Sequence, residues 1–593
     1  MKKLKDAGLG ITLNDKFVEL KAYIEHLANE VKKTIMKNLE NRFVAIMLDI
    51  ASKNNRSVIG INAQYIHEGR VQILSLGIIV LEAAHTAEYI TRVLSDLLAS
   101  YNIPKERVIA ITTDNASAML AMIRRFDKNA QISIHENSDD ENEMDIDIPN
   151  FNHNNVTLSE GQMETVMQSI IEMEALNRVL DDDNTYEELF EKVIGEISEN
   201  TTLVTTIRCG AHSVQLIVRD GIKKSNFKYL LPLCKYISRK MRTEKFKFAA
   251  RDANISYSNP SLSTEPRWDT DYLMLSDLME CEEAIKFFGK TDASFKTIEQ
   301  KMPIIREAIK ILKIPYEVTK LLQKPDITLS DFYGGCLMMR EKLKFFKNKR
   351  DKRTDLAEHL LSAFENRSSK MLDNQLTIAA VYLDRRFSSE LTENHIGLAK
   401  LFLSNLWERL RSLRKEIIES SIANEEQTNP LETDDEENFN FEKYFQAKGL
   451  FVADHVNNNQ LERPIISANE STQPNYAKSK SEFLLLLEDF EEKYPIISHE
   501  TPIIRFWQEH KGQFLEIFEI ADIIFGIPPS QAAVERSFSQ FGYVFNCRRC
   551  KISSVLLENI LIIKLNKNIT NEIFKKDLSD VKTDFYSNQL DQE

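Results

Sequence analysis

Phe43-Val-Ala-Ile-Met-Leu48 is an unbroken apolar run that ends at Asp49, and it reads as a buried central strand. Two further runs follow it, Val58 to Ile66 and Val71 to Leu81. Both are β-branched and partly alternating, and the turn His67-Glu-Gly-Arg70 separates them, so the three predict an antiparallel meander. Upstream, Phe17 to Leu39 has the spacing of an amphipathic helix. Downstream, Ala87 to Tyr101 places Ile90, Val93, Leu94, Leu97, Leu98 and Tyr101 on one helical face before Pro104 stops it. Val108-Ile-Ala-Ile111 is the next strand, with Asp114 just beyond it. Leu203-Val-Thr-Thr-Ile207 is the fifth, followed by the helical spacing of Val214, Leu216, Ile217 and Ile222.

Three strands, a helix, a strand, a helix and a fifth strand make the skeleton of a ribonuclease-H-like core. In that fold the first strand is central and lies beside the fourth, so carboxylates at Asp49 and Asp114 meet at one edge. The rest of the chain reads as helix. Gly (17) and Pro (15) make about 5% of 593 residues, well under the roughly 12% of an average protein. From about Gly221 to Thr501 the pattern is nearly all helical, broken by the polar loop Asn254 to Thr264, an acidic stretch and the linker Asn457 to Ser481. Phe506 to Asn566 reads as two strongly apolar helical segments around Pro528-Pro529, and Lys575 to Glu593 as a polar tail. There is no internal repeat.

The formal charge of −14 argues at face value against a polyanionic ligand. Its distribution reverses that argument. Asn129 to Asn200 holds 19 acids against Arg178 and Lys192, a net of −17, and Glu425 to Glu442 holds eight acids and no Lys or Arg. Removing both leaves +11 on the other 503 residues. The first stretch reads as a disordered or loosely helical insertion. The basic residues gather in two places. Lys223 to Arg251 has ten Lys/Arg against one Glu, interleaved with Phe227, Tyr229, Tyr236, Phe246 and Phe248; Arg340 to Arg353 has eight against two. Such runs neutralise phosphates, or else are solvated helix faces, and Lys347 to Arg353 also fits a nuclear import signal.

Six cysteines without a signal peptide point to reduced thiols, and Cys547 with Cys550 is a CxxC pair lacking the partners of a zinc site. No apolar run reaches the 18 or so residues that span a bilayer, so no membrane is expected. Metal-dependent nucleotidyl transfer requires hard oxygen ligands clustered on rigid elements. Asp49 and Asp114 suit that requirement; the alternative is that each caps a turn at a strand end.

Gly526-Ile-Pro-Pro-Ser-Gln-Ala-Ala-Val-Glu-Arg-Ser-Phe-Ser-Gln-Phe-Gly542, with Cys547-Arg-Arg-Cys-Lys551 and Leu556-Leu-Glu-Asn559, resembles the C-terminal dimerisation region of hAT-superfamily transposases, the relatives of Hermes, hobo and Activator. His85-Thr-Ala-Glu-Tyr-Ile90, Ile111-Thr-Thr-Asp-Asn-Ala-Ser117, Arg208-Cys-Gly-Ala-His212 with Leu216 and Asp220, Pro266-Arg-Trp-Asp269 and Tyr382-Leu-Asp-Arg-Arg-Phe387 fall in the same order as in that family. The resemblance covers roughly Val31 to Asn566. It implies an α/β plus α chain: a ribonuclease-H-like catalytic core interrupted by a large all-helical insertion domain. The expected divisions are an N-terminal helical segment (1–40), the first part of the core (41–222, with the acidic insertion at about 129–200), the helical insertion (223–500, with the acidic loop 425–442), the dimerisation region completing the core (501–570) and the tail (571–593).

The resemblance also implies a DDE triad of Asp49, Asp114 and Glu535 binding two Mg²⁺ or Mn²⁺ ions for DNA strand cleavage and transfer. Glu535 follows Pro528-Pro529 in the apolar company of Ala532, Ala533, Val534 and Phe538, where a carboxylate needs a metal or an Arg such as Arg536 or Arg549. Cys209 and His212 stand for the family's Cys-x-x-His, either as core packing or with His212 positioning DNA. Arg267-Trp268 matches its Arg-Trp motif, in which Trp268 would stack on an extruded base; the alternative is an ordinary buried Trp. Lys223, Lys224, Arg239, Lys240 and Arg242 complete the expected DNA contacts. Val555 to Leu565 is apolar nearly all round, which suggests core on one side and a partner subunit on the other, so Phe538, Leu556, Ile560, Leu561 and Ile563 are the expected dimer contacts.

Three departures stand out. Asp49-Ile-Ala-Ser52 replaces an Asp followed by Trp-Thr, Ala118 stands where Asn is usual, and Asp384-Arg-Arg386 replaces Asp-Pro-Arg. The first Cys is Cys209, so no N-terminal BED zinc finger is expected. The implied protein is nuclear, binds DNA and self-associates. The alternative is a catalytically silent, transposon-derived protein that keeps dimerisation and DNA contact.

Overall fold

The computed structural model describes residues 13–53, 56–82, 86–114, 117–126, 204–264, 267–350, 352–372, 374–428, 477, 479–545 and 552–575. The acidic stretch 129–200, most of the second one and the Cys547–Cys550 pair lie outside them. Helix α1 (Leu13–Leu39) leads into strands β1 (Val44–Lys53), β2 (Arg56–His67) and β3 (Arg70–Leu81), then α2 (Ala87–Ser100), β4 (Val108–Thr113), α3 (Ser117–Phe126) and β5 (Thr205–Arg208). The sheet order is β3-β2-β1-β4-β5, with β1–β2 and β2–β3 antiparallel and β1–β4 and β4–β5 parallel. The apolar run from Phe43 is therefore the middle strand, and its residues Val44 to Leu48 are all buried. Glu68 (φ 51°) and Gly69 (φ 68°) form the two-residue β2–β3 turn, whose left-handed backbone matches the twist of a hairpin.

The helices that follow are α4 (Gly210–Lys224), α5 (Leu231–Met241), α6 (Glu244–Asp252), α7 (Asp269–Glu280), α8 (Glu282–Gly289), α9 (Ala293–Leu321), α10 (Leu329–Lys347), α11 (Leu356–Leu372), α12 (Gln375–Leu383), α13 (Glu393–Thr428), α14 (Lys480–Lys493), α15 (Ile503–His510), α16 (Leu515–Phe525), α17 (Ala532–Val544) and α18 (Ser554–Leu565). They serve two different cores. From Val214 to Phe364 the buried residues form one helical core of their own. From Leu376 to Ile527 they pack instead on one face of the sheet, against Ala45, Ile66, Ile109, Ala110 and Ile207. The expected single insertion between 223 and 500 is thus split, and α12 to α14 belong to the sheet's layer. Apolar periodicity marks a helix face as buried without saying what buries it.

Arg386 ties the two parts together, and Arg385 fastens the sheet's layer internally. Arg386 is buried and donates to both carboxylate oxygens of Asp384, itself fully buried, and to Asp331 Oδ1 at 2.7 Å. Asp331 also closes the capping box of α10 with Thr328. Arg385, the departure from the Asp-Pro-Arg pattern, reaches Tyr494 O at 2.6 Å and Pro495 O at 3.1 Å, so it anchors the chain leaving α14. The other face of the sheet carries α1, α2 and α3.

Candidate active site

Asp49 and Asp114 are brought side by side by strand register. Met47 pairs with Thr112 across the parallel β1–β4 ladder, and each Asp lies two residues further along its own chain, hence on the same face. Opposite Asp49 on the antiparallel side stands Gly60. A Cβ there would sit 2.6 Å from Val534 Cγ1 and 2.9 Å from Phe538 Cε1. Only a glycine leaves α17 room to lie across the strand at this point, and α17 carries Glu535 in its first turn.

The loop before α17 is fully buried from Gly526 to Gln531 and tied down from several elements. Gln64 donates to Gly526 O (3.0 Å), Thr112 Oγ1 to Pro528 O (2.8 Å) and Gly210 N–H to Pro529 O (2.8 Å). Ser530 Oγ donates to Leu322 O (2.8 Å), which fastens the loop to the helical core as well. Two prolines remove donors the loop has no use for and stiffen it. Tertiary hydrogen bonds thus deliver a distant helix to the carboxylate edge of the sheet.

The electrostatics follow from that meeting. Burial pushes the Asp49 carboxyl up to about 7, the negative charges of Asp114 and Glu535 push in the same direction, and hydrogen bonds from Ile50 N–H and the Gln531 side chain oppose them. The Ile50 N–H lies 2.9 Å from Asp49 Oδ1. Glu535 is also raised, by burial first, while Arg267 and Arg536 hold it down and Asp269 adds to the rise. By surface area Glu535 is exposed, yet protein packed round its carboxyl still raises it, as at the mouth of a cleft. His212, half-buried, is lowered by burial and by Arg219 and Arg367, with Asp114 opposing. Cys209 is fully buried, and burial pushes its thiol up to about 12, as for a thiol packed in a core.

Gln531, only 4% exposed, is the residue that the sequence reading missed. Its side chain bonds Asp49 while its Oε1 has no partner. The donor set of Asp49, Asp114 and Glu535 fits a hard divalent cation in kind: oxygens only, with the charges of the other two raising Asp49 and an orphaned amide oxygen alongside. Among the described residues, no group of three or more His, Cys, Asp or Glu is already arranged to hold a metal ion.

Two stretches match known families. The hAT family C-terminal dimerisation region matches residues 473–566, and the ZBED1 RNase-like helical domain matches residues 207–313. The chain is hAT transposase-like. No curated protein matches it. The first match takes in α14 to α18 and so includes the whole Gly526–Gln531 loop and Glu535, and it supports self-association of this hAT transposase-like protein. It begins at 473, well before the expected boundary at 501.

Within that matched region the expected dimer contacts differ in exposure. Leu561 is 0% exposed, buried with Val58, Ile78, Phe541 and Leu557 of its own subunit. Phe538, Leu556, Ile560 and Ile563 are half-buried, Ile563 against the core that includes α1. Within one chain α18 packs against α1, β3 and α17, while Val555 stays 63% exposed. Asn566 completes the docking, its Oδ1 accepting from Ser75 N–H and its Nδ2 donating to Ser75 O, each at 3.0 Å.

The expected DNA contacts of the hAT transposase-like chain divide in the same way. Arg267 is exposed and its charge reaches Glu535, and His212 stands beside Asp114. Trp268 is 4% exposed within the helical core, so its ring packs and cannot stack on a base from that position. Lys240 is spent on Asp292 at 2.5 Å. Lys223, Lys224, Arg239 and Arg242 are exposed, Arg242 donating to Pro260 O. The four described cysteines are free and buried, and no described helix is long and apolar enough to cross a membrane.

Proposed function

We propose that the chain is a self-associating nuclear DNA transposase of the hAT type, whose five-stranded sheet is a ribonuclease-H-like core and whose Asp49, Asp114 and Glu535 hold two Mg²⁺ or Mn²⁺ ions. The observation that carries this reading is the raised Asp49 carboxyl, which feels both Asp114 and Glu535 although the three come from distant parts of the chain. Two such ions, when bound, supply Lewis acidity toward a phosphodiester for strand cleavage and transfer. Gln531 orients Asp49, His212 and Arg267 meet the DNA strand on either side of the carboxylates, and Lys223, Lys224, Arg239 and Arg242 track its phosphates. With its carboxyl raised to about 7, Asp49 is partly protonated near neutrality, and a bound cation would favour its charged form.

Nicking of a hairpin-forming duplex in Mn²⁺ tests the proposal. Cleavage is expected from the native chain and none from Glu535→Gln; cleavage that survives the substitution overturns the triad. A second reading, a catalytically silent protein that dimerises and binds DNA, is favoured by the lack of a ready-made metal-holding group among the described residues. DNA binding and self-association without any nicking would select it.

A further inference from the structure

We infer that α5, α6 and the turn that precedes them form a stacking platform for an unpaired DNA strand, an inference that rests on the DNA-binding part of the function proposed above. Three aromatic rings stand out of this surface: Tyr229 is 73% exposed, Tyr236 51% and Phe248 56%. Each carries a cation over its face. Lys228 Nζ lies 4.9 Å from the Tyr229 centroid, Lys240 Nζ 5.2 Å from that of Tyr236, and Arg251 Cζ 5.5 Å from that of Phe248. The core beneath already holds Phe227, Phe288 and Phe295, so the exposed rings are not surplus core.

Contact with a duplex backbone calls for cations alone and leaves three exposed rings without a purpose. The centre of a protein interface is depleted of charge, whereas here every ring is paired with a Lys or Arg. A ring beside a cation suits an unstacked base with its phosphate, because every base has a π-face and every nucleotide a charge. The supply of charge agrees. Lys235, Lys240 and Lys247 are spent on Asp271, Asp292 and Glu244, but Lys223, Lys224, Arg239 and Lys245 are exposed and form no ion pair among the described residues.

The platform is also connected to the carboxylates. Helix α4 begins beside them, and His212, Arg219 and Lys223 at i, i+7 and i+11 follow one of its faces. At 1.5 Å per residue that lane is about 16 Å long. The turn Asn226–Tyr229 then passes into α5, so Tyr229 closes the turn and Tyr236 follows on the helix it leads into. A strand freed at the carboxylates is thus led along α4 onto the rings.

The test is binding of the full chain, in EDTA so that no cleavage occurs, to a fluorescent oligothymidylate and to a duplex of equal length over a range of salt. Tyr229→Ala, Tyr236→Ala and Phe248→Ala should each weaken single-strand binding about fivefold or more, leave duplex binding within about twofold and keep the salt slope. Tyr236→Phe should retain single-strand affinity, since it keeps the ring. Lys223→Ala with Lys224→Ala should weaken both ligands and flatten the salt slope. Equal losses on both ligands, or no loss on the single strand, overturn the platform; so does a ring variant that alters self-association and not DNA binding. A native chain that binds duplex and no single strand sinks the platform alone, whereas a chain that binds neither also sinks the DNA-binding function proposed above.

Discussion

Asp49→Asn should make the metal-free protein more stable at neutral pH, although it removes the residue at the centre of the candidate site. Asn is nearly isosteric and keeps an oxygen for the Ile50 N–H bond, so what it removes is charge. The Asp49 carboxyl is raised from 3.8 to about 7, which means that the folded chain holds a proton that the unfolded chain has released. Stability is therefore lost as pH rises from about 3.8 to about 7 and is level above that. At about 1.4 kcal/mol per pH unit the whole window costs on the order of 4 kcal/mol, of which roughly 2.5 kcal/mol falls between pH 5 and pH 8. Asp522, pushed by burial to about 7 as well, is common to both proteins and cancels in the difference. Urea unfolding in EDTA at pH 5 and pH 8 measures the quantity directly. The advantage of Asp49→Asn should grow by roughly 2.5 kcal/mol across that interval, and added Mn²⁺ should stabilise the native chain while doing little for the variant. An advantage that does not change with pH, or a variant less stable at pH 8, would refute the argument that burial and its acidic neighbours hold the Asp49 carboxyl far above its ordinary value.

Gly60→Ala should drive α17 from the sheet, costing about 1 to 3 kcal/mol by overpacking, and should shrink the pH dependence described above because Glu535 retreats from Asp49; parallel urea titrations read both. Arg386→Ala leaves Asp384 buried and uncompensated, and a loss of about 3 to 5 kcal/mol is expected in denaturant unfolding, with Asp384→Leu plus Arg386→Met costing less than either single change. Asn566→Ala strips two hydrogen bonds from Ser75, an expected loss of about 2 to 4 kcal/mol, and hydrogen exchange should show the Ser75 amide opening before the rest of β3.

The strands and their order were legible because each strand's apolar run is local and the β2–β3 turn carries its own signal in Glu68-Gly69. The candidate carboxylates were legible for a related reason, since Asp49 and Asp114 close two such runs. Gly60 had a local signal, a glycine inside a strand, which marks close backbone approach without naming what approaches. Gln531 had none: a polar residue in a proline-rich loop is indistinguishable in sequence from a solvated one. Phe506 to Asn566 reads as two helical segments, and its described residues fold as four helices; the break between α15 and α16 falls at Lys511-Gly512-Gln513, a polar, glycine-containing step with a local signal of its own.

By itself the sequence determined the strand succession, the helical majority, the basic body hidden by two acidic stretches and the motif around Glu535, all of which depend on the order of neighbours along the chain. Tertiary structure alone decided who meets whom. It set Glu535 beside Asp49 through a glycine and a buried loop, turned Trp268 into the core, spent Lys240 on Asp292 and packed α18 against α1, β3 and α17. The physical reason is that periodicity encodes how much of a side chain's surface must leave water, whereas the group that takes water's place is chosen by the whole packed molecule.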